Sequence, residues 1–138
     1  MNNELTNQLF KKYPTLFPGG KNVNMKESLM CFGFECGDGW YNLIDKLCSD
    51  ILKCEGGKDV TVEQVKEKFG GLRFYTGPAN SKIFDLIHKA EEKSFKICEE
   101  CGAKGELEEI RGWYTTLCKK CKKKDDIEHN KLMEKYKK

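Results

Sequence analysis

Arginine, histidine and proline are scarce in this 138-residue chain: two Arg, two His and three Pro. With so little Arg, few bidentate contacts are available to read guanine or grip phosphate, which counts against sequence-specific nucleic-acid readout. The two histidines, His88 and His129, have no obvious Ser, Cys or Asp partner for nucleophilic catalysis, and both are expected to face solvent. No run approaches the ~18 apolar residues of a membrane span, so no membrane partner is expected. The opening Met1-Asn2-Asn3-Glu4-Leu5-Thr6 lacks the basic flank and apolar stretch of a secretory signal, and the expectation is a soluble, cytoplasmic protein. A phosphate-binding G-x4-G-K-[ST] loop is absent, as is any repeat of 20–50 residues.

What is present is charge and cysteine. Charged residues make up 34% of the chain, above the usual ~25%, yet 11% aromatics and regular apolar periodicity argue for a folded core. The net charge of +3 hides an uneven distribution. Residues 118–138 hold nine Lys against Asp125, Asp126, Glu128 and Glu134, whereas residues 98–117 hold Lys104 and Arg111 against five Glu.

The apolar pattern predicts an α+β fold: a small mixed body, then a long helix, a zinc-ribbon hairpin and a charged C-terminal helix. A short helix over 3–12 carries Leu5, Leu9 and Phe10, and Tyr13, Leu16 and Phe17 anchor the Pro-rich turn after it. Residues 28–35 read as a strand. Asp38 suits the N-cap of a helix from Trp40 to about Cys54, whose apolar face is Trp40, Leu43, Ile44, Leu47, Cys48, Ile51 and Leu52. Thr61-Val62-Glu63-Gln64 has the form of a capping box, predicting a short helix over 62–69 stopped by Gly70-Gly71, with a strand left open by Val60, Val62 and Val65. Leu72 to Thr76 alternates as a half-buried strand, and Asn80 or Ser81 caps a helix through Ile97. The boundary is placed between a body, 1–79, and a helix-plus-module, 80–138.

Eight Cys without a secretory signal point to metal rather than to a disulfide scaffold. Cys98 and Cys101 form one C-x2-C pair, Cys118 and Cys121 a second, and 16 residues separate the pairs. Both sulfurs of such a knuckle turn toward one ion, and two knuckles complete a tetrahedron of four thiolates. The spacer pairs as a hairpin, Glu106–Ile110 with Gly112–Leu117, which is zinc-ribbon architecture. Rubredoxin-type iron sites use the same two pairs, but here Lys122 rather than Gly follows the second, which favours Zn2+. Four thiolates leave no position for water or substrate, so the ion is structural. No H-x-E partner accompanies the cysteines, which excludes a zinc deaminase. Cys31, Cys36, Cys48 and Cys54 match no common metal spacing and read as packing residues.

Two further clusters invite a ligand. Lys66, Lys68, Arg73 and Tyr75 crowd cationic and aromatic groups around Gly70-Gly71, an arrangement that holds phosphate or stacks a base; the plainer reading is a solvated charged corner. Lys119, Lys120, Lys122, Lys123 and Lys124 open the C-terminal helix, which reads either as a peripheral helix with snorkelling lysines or as a nonspecific phosphate contact.

The strings Cys36-Gly37-Asp38-Gly39-Trp40, Gln64 to Tyr75, Ala90-Glu91, Cys98 to Gly102 and Gly112-Trp113 to Cys118 together resemble a set of small proteins encoded in bacterial and phage or prophage genomes. The resemblance spans about residues 28–121; in such proteins the second knuckle often ends Cys-x-x-His, where Cys121 stands here. It implies a mobile-element context, in which small proteins commonly interfere with host enzymes or defence signalling, and it assigns no catalytic residue. The resulting expectation is a non-enzymatic zinc-ribbon protein that modulates or inhibits a host system by protein–protein contact. Nonspecific nucleic-acid binding and sequestration of a nucleotide signal are the alternatives.

Overall fold

The computed structural model describes residues 1–137; Lys138, the last residue of the expected charged helix, lies outside them. The fold is α+β, as expected, with four helices and two small sheets.

Helix α1 (Asn3–Lys12) begins where the Asn2 side chain accepts the Leu5 amide at 2.8 Å. The Pro-rich turn after it is anchored as expected, with Tyr13, Leu16 and Phe17 all buried. Phe17 meets Phe10 and Phe34 with ring centroids 5.5 and 5.3 Å apart, and both pairs are edge-on.

The strand expected over 28–35 is much shorter. Ser28 Oγ accepts the Met30 amide, Met30–Phe32 closes a single 3-10 turn, and Gly33 takes a φ of 72°. Only β1 (Phe34–Glu35) is extended, paired parallel to Val65 and Lys66.

Asp38 does not cap the next helix. Asp38–Trp40 is a 3-10 turn, and the Asp38 carboxylate instead accepts the Asn2 amide at 2.7 Å and the Asn2 side chain at 3.2 Å. Helix α2 (Tyr41–Lys53) follows, burying Ile44, Leu47, Cys48 and Ile51, all on the apolar face expected from spacing.

The helix expected over 62–69 is a strand. β2 (Val62–Lys68) and β3 (Gly71–Thr76) form an antiparallel hairpin in which Lys68 faces Gly71. Phe69 and Gly70 sit between them at φ 54° and 84°, the positive pair that a two-residue type I′ turn requires. Gly70 is therefore the second residue of a hairpin loop rather than a helix stop. β-Branched Val62 and Val65 both point into the core, which the β-bulge between Val62 and Gln64 permits, and this packing outweighs the local capping-box pattern.

Helix α3 (Ser81–Ser94) starts at Asn80, whose Oδ1 accepts the Ile83 amide at 3.0 Å. It packs on β3 and α2, and its Ile83, Ile87 and Ala90 join the same core as Ile44, Val65, Leu72 and Phe74. The helix ends three residues earlier than periodicity suggests. Ser94 Oγ accepts the Leu72 amide at 2.8 Å, and Ile97 leaves the helix to bridge with Lys104.

Beyond it, β4 (Glu106–Ile110) and β5 (Trp113–Leu117) form the expected hairpin, turned by Arg111 and Gly112 at φ 51° and 84°. Helix α4 (Lys119–Lys135) buries no residue and is held to the hairpin by charge. Lys122 pairs with Glu108, and Arg111 with both Asp125 and Asp126.

Candidate metal centre

The two knuckles come from different kinds of backbone. Cys98 and Cys101 lie in a tight turn: the Cys98 amide donates to Ala103 O at 2.7 Å, the Gly102 amide donates to Cys98 O at 2.9 Å, and Gly102 takes φ 82°. Cys118 follows β5 and is the N-cap of α4, its sulfur accepting the Cys121 amide at 3.4 Å. The hairpin brings the pairs together. All four sulfurs lie within 4.8 Å of one another, with Cys101 and Cys118 3.7 Å apart.

This set fits a tetrahedral metal. With metal–sulfur bonds of about 2.3 Å the edges of an S4 tetrahedron are about 3.8 Å, and a disulfide would need about 2.05 Å. Cys98 is buried, Cys118 and Cys121 are half-buried and Cys101 is exposed, so an ion would sit at the edge of the fold. Among the described residues this is the one cluster of three or more His, Cys, Asp or Glu side chains with metal-binding spacing.

One of the four thiols is poised to ionise. The Cys121 amide, and then the neighbouring thiols, draw the Cys118 thiol down to about 7. Cys121 moves the opposite way, raised by desolvation and by donating its proton to the Cys118 sulfur. Cys36 and Cys48 are a contrast. Burial pushes Cys36 up to about 12 and Cys48 higher still, which leaves both as unreactive packing thiols.

The first knuckle rests on the Cys36–Trp40 string. The Gly39 amide donates to Glu99 O at 2.7 Å, the Gly37 amide to a Glu99 carboxylate oxygen at 2.9 Å, and the Trp40 indole N–H to Ile97 O at 2.9 Å. Burial pushes the Glu99 carboxyl up, and the Gly37 hydrogen bond offsets part of that rise. A Cβ at Gly39 would collide with the Cys98 carbonyl oxygen and the Gly102 amide, so two backbones touch there with no room for a side chain. Gly39→Ala is expected to cost about 1–3 kcal/mol of stability by overpacking and to weaken metal retention, read by denaturant unfolding and chelator competition.

The hairpin rests on the other glycine string. Buried Thr116 donates through Oγ1 to Gly70 O at 2.6 Å, Leu107 closes over Gly70, and Phe95 lies against Gly71. The Gly70 amide donates to Glu67 at 2.7 Å. The Gly70-Gly71 corner is thus the seat of the hairpin, and its groups are engaged rather than open to a phosphate. Gly37, Gly39, Glu99 and Thr116 are the site residues that spacing alone does not identify. Only Gly37 and Gly39 leave a trace in the sequence, as glycines that no positive φ requires.

Of the other expected residues, Lys66 and Arg73 face each other across β2 and β3, Tyr75 faces Gln64, and Lys68 faces Gly71. Lys119, Lys120, Lys122 and Lys123 line a groove of about 700 Å³ with Lys104, Glu106 and Glu108, and Lys124 is exposed beside it on α4. His88 is exposed and His129 half-buried. No helix among the described residues is long and apolar enough to cross a membrane. Comparison with known proteins finds no family model, no curated protein and no solved structure that matches the chain.

Proposed function

We propose that the four cysteines hold one structural zinc ion and that the protein is a non-enzymatic zinc-ribbon adaptor of a phage or other mobile element, binding a host protein through its ribbon and C-terminal helix. The sulfur spacing supports zinc, and four thiolates around it leave no coordination position for a substrate. When bound, the ion supplies cohesion: Cys98, Gly105 and Thr116 are the buried residues of 98–137, too few for a core. Free thiols suit a reducing, cytoplasmic compartment.

The observation that carries the contact reading is apolar surface on this module. Trp113 and Tyr136 are each 76% exposed, and Tyr114, Leu132, Met133 and Leu107 are also open to solvent. Aromatic side chains displayed on a metal-braced hairpin are the rigid anchors from which interface hot spots are built. Acidic Glu100, Glu106 and Glu109 lie on the same module, so a partner with a basic rim around an apolar pocket matches it. A W113A/Y114A double variant is expected to keep its metal and its unfolding midpoint and to lose any host protein that wild type captures. Capture undiminished in that variant would contradict the reading.

One observation favours a second reading, nonspecific nucleic-acid contact. Lys104, Lys119, Lys120 and Lys123 share one groove beside the start of α4, and none of them is ion-paired among the described residues. Binding there would fall steeply with salt and show no base preference.

A further inference from the structure

We propose that the outward face of the β1–β2–β3 sheet binds a nucleoside phosphate, with the base stacked on Tyr75 and the phosphate held by Lys66 and Arg73. This site lies on the body, apart from the ribbon and α4, and stands or falls independently of the adaptor reading.

The strand at 62–68 is what assembles the face. In a helix, Lys66 and Lys68 would diverge; on the pleat, side chains at 64, 66 and 68 project to the side opposite Val65. The antiparallel register sets Lys66 directly across from Arg73 and Gln64 across from Tyr75. Leu72 and Phe74 take the core side of β3, leaving Arg73 and Tyr75 outward. One surface therefore carries an amide, an aromatic ring and three cationic side chains within two cross-strand steps. None of Lys66, Lys68 and Arg73 is ion-paired among the described residues.

A concavity adjoins this surface. Met25, Leu29, Gln64, Lys66, Tyr75 and Thr76 help to line a space of about 550 Å³, within the ~300–1,000 Å³ range of ligand sites. Met25 is 61% exposed and Tyr75 41%, so apolar wall and ring stand open where a planar base would insert. Gln64 donates one amide hydrogen to Glu35 at 3.4 Å and keeps its Oε1 and second N–H for a base edge. Carboxylates are present as well: Glu27 and Glu63 line the concavity and Glu35 lies beside Lys66. Glu27 and Glu63 leave the concavity to the uncharged base, and Glu35 flanks Lys66 on the β1 side, so the anion's place is on the β3 side of Lys66, against Arg73. Lys68, with its ammonium 5.6 Å from the Phe69 ring centre, extends the cationic line along β2.

The ligand chemistry is the same for a free nucleotide and for a single-stranded oligonucleotide, and the experiment separates them. Full-length protein is titrated with a fluorescein-labelled ten-residue oligothymidylate by anisotropy and with adenosine and uridine monophosphates by calorimetry. Binding of the oligonucleotide with weaker or absent mononucleotide binding identifies a single strand; mononucleotide binding of at least equal strength identifies a free nucleotide. In either case Y75A is expected to weaken binding about tenfold or more while Y75F keeps it, since stacking on the ring carries the base. K66A/R73A is expected to weaken binding and, for the oligonucleotide, to flatten the log–log salt dependence by about 1.4, two phosphate contacts at about 0.7 each. The α4 variant K119A/K120A/K123A/K124A should leave the Tyr75 dependence intact. No binding of any probe to wild type, or binding lost in the α4 variant and untouched by Y75A and K66A/R73A, would overturn the proposal.

Discussion

Replacing Cys98 with Ser is expected to abolish stoichiometric metal binding and to unfold residues 98–135 while residues 1–97 stay folded. Hydrogen exchange should show amides of β4, β5 and α4 losing protection, with α2, β2, β3 and α3 unchanged. The argument is one of magnitude. Structural zinc in small domains contributes ~10–16 kcal/mol of apparent binding free energy, which in such domains is folding free energy. Little else holds this segment: α4 buries nothing, and its ties to the hairpin are exposed ion pairs of Lys122 and Arg111. Exposed pairs of this kind contribute about 0–1 kcal/mol each. The hydrogen bonds from Thr116 to Gly70 and from Gly39 to Glu99 fix where the hairpin sits, but only once it is formed. A metal-free variant that kept full protection across β4 and β5 would mean that packing suffices.

The second large effect is expected at Trp40. Its side chain is fully buried among the body's apolar residues, and its indole N–H donates to Ile97 O one residue before the first knuckle. Trp40→Ala is expected to destabilise the body by about 3–5 kcal/mol, the usual cost of removing a buried aromatic ring. Trp40→Phe separates the two roles, because it keeps much of the volume and removes the donor, leaving the Ile97 carbonyl without that partner. The expected result is a smaller loss of stability with a clear rise in the metal off-rate, measured by transfer to a chromophoric chelator. Equal off-rates for Trp40→Phe and wild type would show that the hydrogen bond does not position the knuckle.

The metal cluster was legible because its information is local: two C-x2-C pairs and a spacer with hairpin character specify the ligands without knowledge of the rest. Helix α2 was legible for a similar reason, its apolar stripe recurring at the helical period through Ile44, Leu47, Cys48 and Ile51. β2 was misread because Thr61-Val62-Glu63-Gln64 satisfies a helix-start pattern, while the deciding contacts with β3 and β1 lie elsewhere in the chain. Phe69-Gly70 compounded the error. A glycine after an apolar residue marks a helix end and a hairpin turn alike, and here Phe69 itself takes positive φ. The expected strand at 28–35 shrank because Gly33 turns the chain just before the only extended pair, Phe34 and Glu35.

The seating of the ribbon was invisible for a different reason. Gly37 meets Glu99 across 62 positions of sequence, and Gly70 meets Thr116 across 46. A glycine required by close approach of a distant backbone leaves no periodic trace: Gly37 is only a small residue without a positive φ, and at Gly70 the hairpin turn by itself accounts for the glycine. Cys36–Trp40 and Gln64–Tyr75 contain the surfaces on which the metal module sits.

X-ray absorption at the metal edge, combined with native mass spectrometry of the reduced full-length chain, addresses the central claim most directly. The account predicts one zinc ion per chain with four sulfur neighbours at about 2.3 Å. A chain that carries no metal, or a metal whose neighbours include oxygen or nitrogen in place of any of the four sulfurs, would contradict it.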